Sequence, residues 1–74
     1  MLNACILVKT VPTKVYEILD SIKKIENVRK SYIVYGRFDI VAFIETPDYA
    51  TVRAITGKIN SMEGVRSTET LVEA

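Results

Sequence analysis

The side chains with most chemical capacity in this 74-residue sequence gather in two short stretches. The first is Tyr35-Gly36-Arg37-Phe38-Asp39. Here Asp39 could accept from an ammonium group and Arg37 could meet a carboxylate. Gly36 lets the backbone approach a ligand, or take the positive φ that a tight turn needs. The second stretch holds Thr68 and Thr70, two hydroxyls that strand alternation puts on one face, placed to hydrogen-bond a carboxylate. Each residue also has a plainer reading. Gly36 suits an ordinary hairpin turn, and Asp39 suits a cap for that turn's own N–H groups. Arg37 suits a solvated surface, and threonines are good strand formers on a wet face. Tyr32, Tyr35 and Phe38 read first as core or interface residues and only second as ligand walls.

Catalytic chemistry finds little here. The chain has no His, so Ser/His and Cys/His pairs and His-containing metal sites are excluded. Its one cysteine, Cys5, permits no intrachain disulfide and no Cys-x-x-Cys metal motif. No basic neighbour lowers its pKa, so it reads as a small packed hydrophobe. There is no Gly-rich phosphate loop. Asp39, Glu69 and Glu73 are the acids that a paired-carboxylate mechanism would draw on; ordinary surface acids are the plainer reading. The expectation is a protein that is not an enzyme and needs no metal or cofactor.

The elements that position these residues follow from hydrophobic spacing. Leu2, Ala4, Ile6 and Val8 alternate with Asn3, Cys5, Leu7 and Lys9, which predicts a strand over 2–10 with apolar residues on both faces. Pro12 suits the first turn of a helix. Val15, Ile18, Leu19 and Ile22 form one stripe at helical spacing, and the helix ends near Ile25 with Lys23 and Lys24 complementing its dipole. Residues 28–35 and 38–46 read as two strands of a hairpin around Gly36. Thr46-Pro47-Asp48 stops the second of them, with Asp48 or Thr46 as N-cap of another helix. Val52, Ile55 and Ile59 mark that helix's buried stripe. Gly57 lies inside it, as a site of close helix contact or a weak last turn. Gly64 breaks the chain before a last, more polar strand over 65–73.

The order is β-α-β-β-α-β in a single domain, residues 1–74. The predicted fold is α+β, a ferredoxin-like sandwich with a four-stranded antiparallel sheet and two helices on one face. The first and third strands are central and the other two are edges. Phe38, Ile40, Ala42 and Ile44 point one way and Val41 and Phe43 the other, so the face without helices keeps an apolar patch. Such a patch marks an interaction site, and a sheet-to-sheet dimer of two copies about a two-fold axis is expected. A 74-residue chain that is 49% apolar and has no staple fits the same expectation.

The formal charge of +1 argues against a partner such as duplex DNA. Its distribution is uneven. Residues 1–37 hold seven Lys/Arg against three acids, and residues 38–74 hold three against six. Two solvated surfaces explain that, or complementary faces between subunits. No apolar stretch reaches 18 residues, so no membrane span is expected. The start lacks a basic n-region, so a cytoplasmic location is expected.

Three families share this element order. The RNA recognition motif has an aromatic third strand, but here the basic flank is missing and the first strand lacks an aromatic. Dimeric-barrel monooxygenases use His, Asn and Trp, and His and Trp are both absent. The third match is closer. Tyr35-Gly36-Arg37-Phe38-Asp39-Ile40-Val41 resembles the Gly-x-[Phe/Tyr]-Asp-apolar-apolar turn of the Lrp/AsnC effector domain, also called the RAM domain. Met62 to Val72 is similar to that family's Pro-Gly-Val-x-x-Thr-x-Thr terminal strand, with Glu63 where proline is frequent. The resemblance spans essentially the whole chain. It implies a small effector, an amino acid or similar molecule, held between subunits by Tyr35, Gly36, Arg37, Phe38, Asp39, Thr68 and Thr70. It implies dimers that assemble into octamers or decamers, and modulation of transcription regulators, including full-length members of the family. Those members carry a helix-turn-helix domain that reads DNA. This chain starts directly on the first strand, so a stand-alone effector module without direct DNA binding is expected. A purely structural oligomerisation module, or an enzyme or RNA-binding domain on the same fold, is the alternative.

Overall fold

Strand alternation sets the architecture of the computed structural model, which describes residues 1–74. In β1 (Leu2–Thr10) the side chains of Ala4, Ile6, Val8 and Thr10 are buried, while Asn3 and Lys9 are exposed. A 3-10 turn opened by Pro12 leads into α1 (Val15–Lys23), whose Ile18, Leu19 and Ile22 face the core. Next come β2 (Val28–Ile33), β3 (Ile40–Thr46), α2 (Tyr49–Asn60) and β4 (Val65–Val72). Asp48 caps α2: its Oδ1 accepts from the Thr51 N–H at 2.8 Å and from Thr51 Oγ1 at 2.7 Å. Those two bonds hold the Asp48 carboxyl below its ordinary pKa.

The sheet order is β2-β3-β1-β4 with all neighbours antiparallel. The most apolar strands are therefore central, and the chain has the ferredoxin-like βαββαβ fold. One face packs on both helices. Its 13-residue core includes Ile6, Ile22, Ile40 and Ile59, all with no exposed surface. The other face carries no element of this chain. Val41 is buried there yet lies outside the core cluster, between Leu7 and Tyr32 in register. Phe43 is 37% exposed and Leu71 is 53% exposed on the same face.

Two local features differ from the sequence expectation. The hairpin strands stop short of Gly36, at Ile33 and Ile40, so residues 34–39 form a loop and not a tight turn. Tyr35 is consequently 97% exposed. Gly57 makes no close contact, since a Cβ placed there meets nothing within 4 Å. It is the weak point of α2. Gly64 is required for a different reason. Its φ is +97°, and a Cβ would lie 2.7 Å from Lys14 Cβ.

Candidate functional site

Hydrogen bonds to the end of β1 hold the loop of residues 34–39. The Thr10 N–H donates to Asp39 Oδ2 at 2.8 Å. The Asp39 N–H donates to the Val8 carbonyl at 2.9 Å, and the Val34 N–H donates to the Asp39 carbonyl at 2.9 Å. Lys9 Nζ reaches the Arg37 carbonyl at 3.3 Å. Asp39 thus caps a neighbouring strand and not its own turn. Its second oxygen, Oδ1, has no hydrogen bond within the chain. Gly36 has φ +127° and open space where a Cβ would sit, so conformation and not a close contact requires glycine there. Arg37 is exposed with a free guanidinium, and Phe38 is half-buried.

Thr68 and Thr70 do share a face of β4, but it is the helix face. They pair in register with Val8 and Ile6, both fully buried. Thr68 Oγ1 donates to Asn60 Oδ1 at 3.1 Å, and the Thr70 and Thr56 hydroxyls are 3.1 Å apart. Both hydroxyls therefore tie β4 to α2. The structure brings Tyr35 to Asp39 together at one end of β1, with Thr68 across β1 from them. The chain has three surface hollows, and none is lined by any of the seven residues. No three His, Cys, Asp or Glu side chains are grouped to hold a metal ion. No helix is long and apolar enough to cross a membrane.

The sequence model of the Lrp/AsnC ligand binding domain matches residues 3–73. The chain belongs to the Lrp/AsnC ligand-binding domain family. It is therefore an effector-binding regulatory module by family. Among solved structures, it superposes on TTHA0845 from Thermus thermophilus with a TM-score of 0.96 and 29% identity, covering 100% of this chain and 94% of that one. FFRP-DM1 gives 0.92 and 29%, with both chains fully covered. Escherichia coli AsnC shares the fold at 18% identity, TM-score 0.88, and this chain spans 50% of its length. Among curated proteins none matches the sequence.

The largest hollow of this Lrp/AsnC domain lies on the open sheet face, toward β2. Its volume is about 400 Å³, and Arg29, Lys30, Tyr32, Phe43, Glu45 and Asn3 are among its walls. The Tyr32 and Phe43 rings are tilted at 45° with centroids 6.1 Å apart. Arg29 is spent on Glu45, with Nε 3.1 Å from Oε1. Sequence reading missed this hollow. A register between Lys30-x-Tyr32 and Phe43 would have revealed it, but a bulge at Val28–Lys30 hides that register from simple alternation. Cys5 lies on the same face, and partial burial raises its thiol pKa, so it stays an unreactive thiol at neutral pH.

Proposed function

We propose that this chain is an effector-sensing oligomerisation module, in which copies pair through the open sheet face and a small amino-acid-like effector binds at a subunit boundary beside the 34–39 loop. One observation carries this reading. The loop residues Tyr35, Gly36, Arg37, Phe38 and Asp39 carry free polar groups yet enclose no hollow within one chain, so a pocket there needs walls from another copy. The chemistry fits a zwitterion: the exposed Arg37 guanidinium meets a carboxylate, and the unused Asp39 Oδ1 accepts from an ammonium. Thr68 and Thr70 stand behind this boundary and engage the effector if α2 releases their hydroxyls. The dimers assemble further, to octamers or decamers, and the effector shifts that balance. Through it the module modulates transcription regulators, full-length family members included, in the cytoplasm.

A second reading has its own support. Asp39 Oδ2, Thr68 and Thr70 are already engaged inside the chain. A purely structural oligomerisation module would need nothing more of them. Thermal unfolding against the twenty amino acids, with the mass read by light scattering, separates the two. An effector at about tenfold its Kd adds roughly 1.4 kcal/mol. At roughly 4–8 °C per kcal/mol for a domain of this size, that is a rise of about 6–11 °C. No rise with any amino acid at millimolar concentration leaves the structural module. A monomeric mass rejects both.

A further inference from the structure

The 34–39 loop is fixed at its base and nearly free at its tip. Asp39 supplies the base. Its carboxylate accepts from the Thr10 N–H, its own N–H donates to the Val8 carbonyl, and its carbonyl accepts from the Val34 N–H. Between those anchors Tyr35, Gly36, Arg37 and Phe38 make no backbone–backbone hydrogen bond. Packing adds little at the front of the tip. Tyr35 is 97% exposed, and a Cβ placed on Gly36 meets nothing within 4 Å. The one hydrogen bond that reaches the tip comes from outside it: Lys9 Nζ donates to the Arg37 carbonyl at 3.3 Å.

Gly36 gives that bond its weight. Its φ is +127°, and glycine visits positive and negative φ about equally well. The turn sequence alone therefore leaves the peptide units on either side of Arg37 free to reorient. Holding the Arg37 carbonyl fixes the planar peptide unit that follows it, and with it the direction in which the Arg37 side chain leaves the loop. Lys9 is suited to this by its place in the chain. It lies between Val8 and Thr10, the two residues whose backbone groups hold Asp39, so base and tip are tied to the same end of β1. Lys9 forms no ion pair within the chain, so no acid draws its ammonium away.

We infer that Lys9 is a positioning residue of the effector site: it holds the tip of the loop so that the Arg37 guanidinium is aimed at a carboxylate, without itself touching the effector. This rests on the reading that an effector binds beside the loop. Lys9 is exposed and its side chain is long, so the effect is modest. A single exposed charged contact shifts an equilibrium roughly two- to fivefold.

The test compares the natural full chain with Lys9→Met and Lys9→Arg. Methionine keeps an unbranched stem and loses the charge; arginine keeps the charge and several N–H donors. Nuclear magnetic resonance order parameters of the Gly36, Arg37 and Phe38 amides read the mobility of the tip with no ligand present. The shifts of the same amides, titrated with each of the twenty L-amino acids up to millimolar concentration, read binding. Lys9→Met lowers the order parameters at the tip and leaves those of β3 unchanged. It weakens the Kd of a responding amino acid by roughly two- to fivefold and keeps the thermal midpoint within about 2 °C. Lys9→Arg restores both the order and the affinity. A tip as rigid in Lys9→Met as in the natural chain overturns the inference. A loosened tip with unchanged affinity overturns it too, as does a midpoint that falls with the affinity, which marks a purely structural role. A natural chain that responds to no amino acid removes the effector reading, and the positioning role falls with it, while the order parameters still report whether Lys9 holds the tip.

Discussion

Asp39→Ala tests whether the 34–39 loop is held as the geometry states. The Thr10 N–H that Asp39 Oδ2 accepts at 2.8 Å belongs to a residue only 3% exposed. Thr10 Oγ1 is already a buried hydroxyl without a partner. Removing the carboxylate strands a second polar group beside it. A hydrogen bond to a charged acceptor contributes about 1.5–3 kcal/mol, and Asp39 is only half-buried, so about 1.5 kcal/mol is expected. At roughly 4–8 °C per kcal/mol, the midpoint falls by about 6–12 °C. Circular dichroism at one fixed protein concentration reads this, because the proposed assembly would make the midpoint depend on concentration. Asp39→Asn keeps an oxygen acceptor and loses the charge, and about half the loss is expected. The asparagine variant also separates anchoring from binding. If Asp39 only anchors, it keeps the effector response. If Oδ1 receives an ammonium, the response disappears while most of the stability remains. An alanine variant that melts within about 2 °C of the natural chain refutes the anchoring argument.

Gly57→Ala stabilises the domain by about 0.5–1 kcal/mol in urea unfolding, since α2 gains a better helix former in open space; a loss instead would place Gly57 against another copy. Ser31→Ala is neutral or stabilising by up to about 1 kcal/mol in the same assay, because the Ser31 hydroxyl is buried without a partner. A clear destabilisation would mean that this hydroxyl is satisfied. The folded-state pKa of Asp48 lies below its ordinary value of 3.8. The stability it contributes is full above that value and disappears as pH falls through the folded pKa. Asp48→Asn, still a good N-cap, flattens the stability profile below about pH 4 in acid titrations followed by circular dichroism.

Hydrophobic spacing carried most of the fold. The stripes Ile18-Leu19-Ile22 and Val52-Ile55-Ile59 and the alternation in β1 are local signals, and the structure buries those residues. The hairpin boundaries were not legible for a physical reason. Val34, Tyr35 and Phe38 have β-forming side chains, but bonds from Asp39 to Val8, Thr10 and Val34 hold the segment as a loop. Those are tertiary contacts, and local propensity yields to them. Thr68 and Thr70 show the same limit. Alternation put them on one face of β4, but only pairing with Val8 and Ile6 tells that this is the helix face.

Charge was the least legible feature. Lys30 and Glu69 lie far apart in sequence, and each alone reads as a solvated side chain. The sheet order gives them meaning, because β2 and β4 close opposite edges of one surface. A single chain then has an apolar strip with a free charge of opposite sign on either border. It also has a polar loop whose residues line none of its hollows. In the module proposed above, a second copy facing the first supplies what the strip lacks. In the proposed module, recognition of self at the sheet comes before recognition of effector at the loop. The two steps are then separable in experiment: the mass from light scattering reads the pairing, and Asp39→Asn acts on the effector response of an intact assembly.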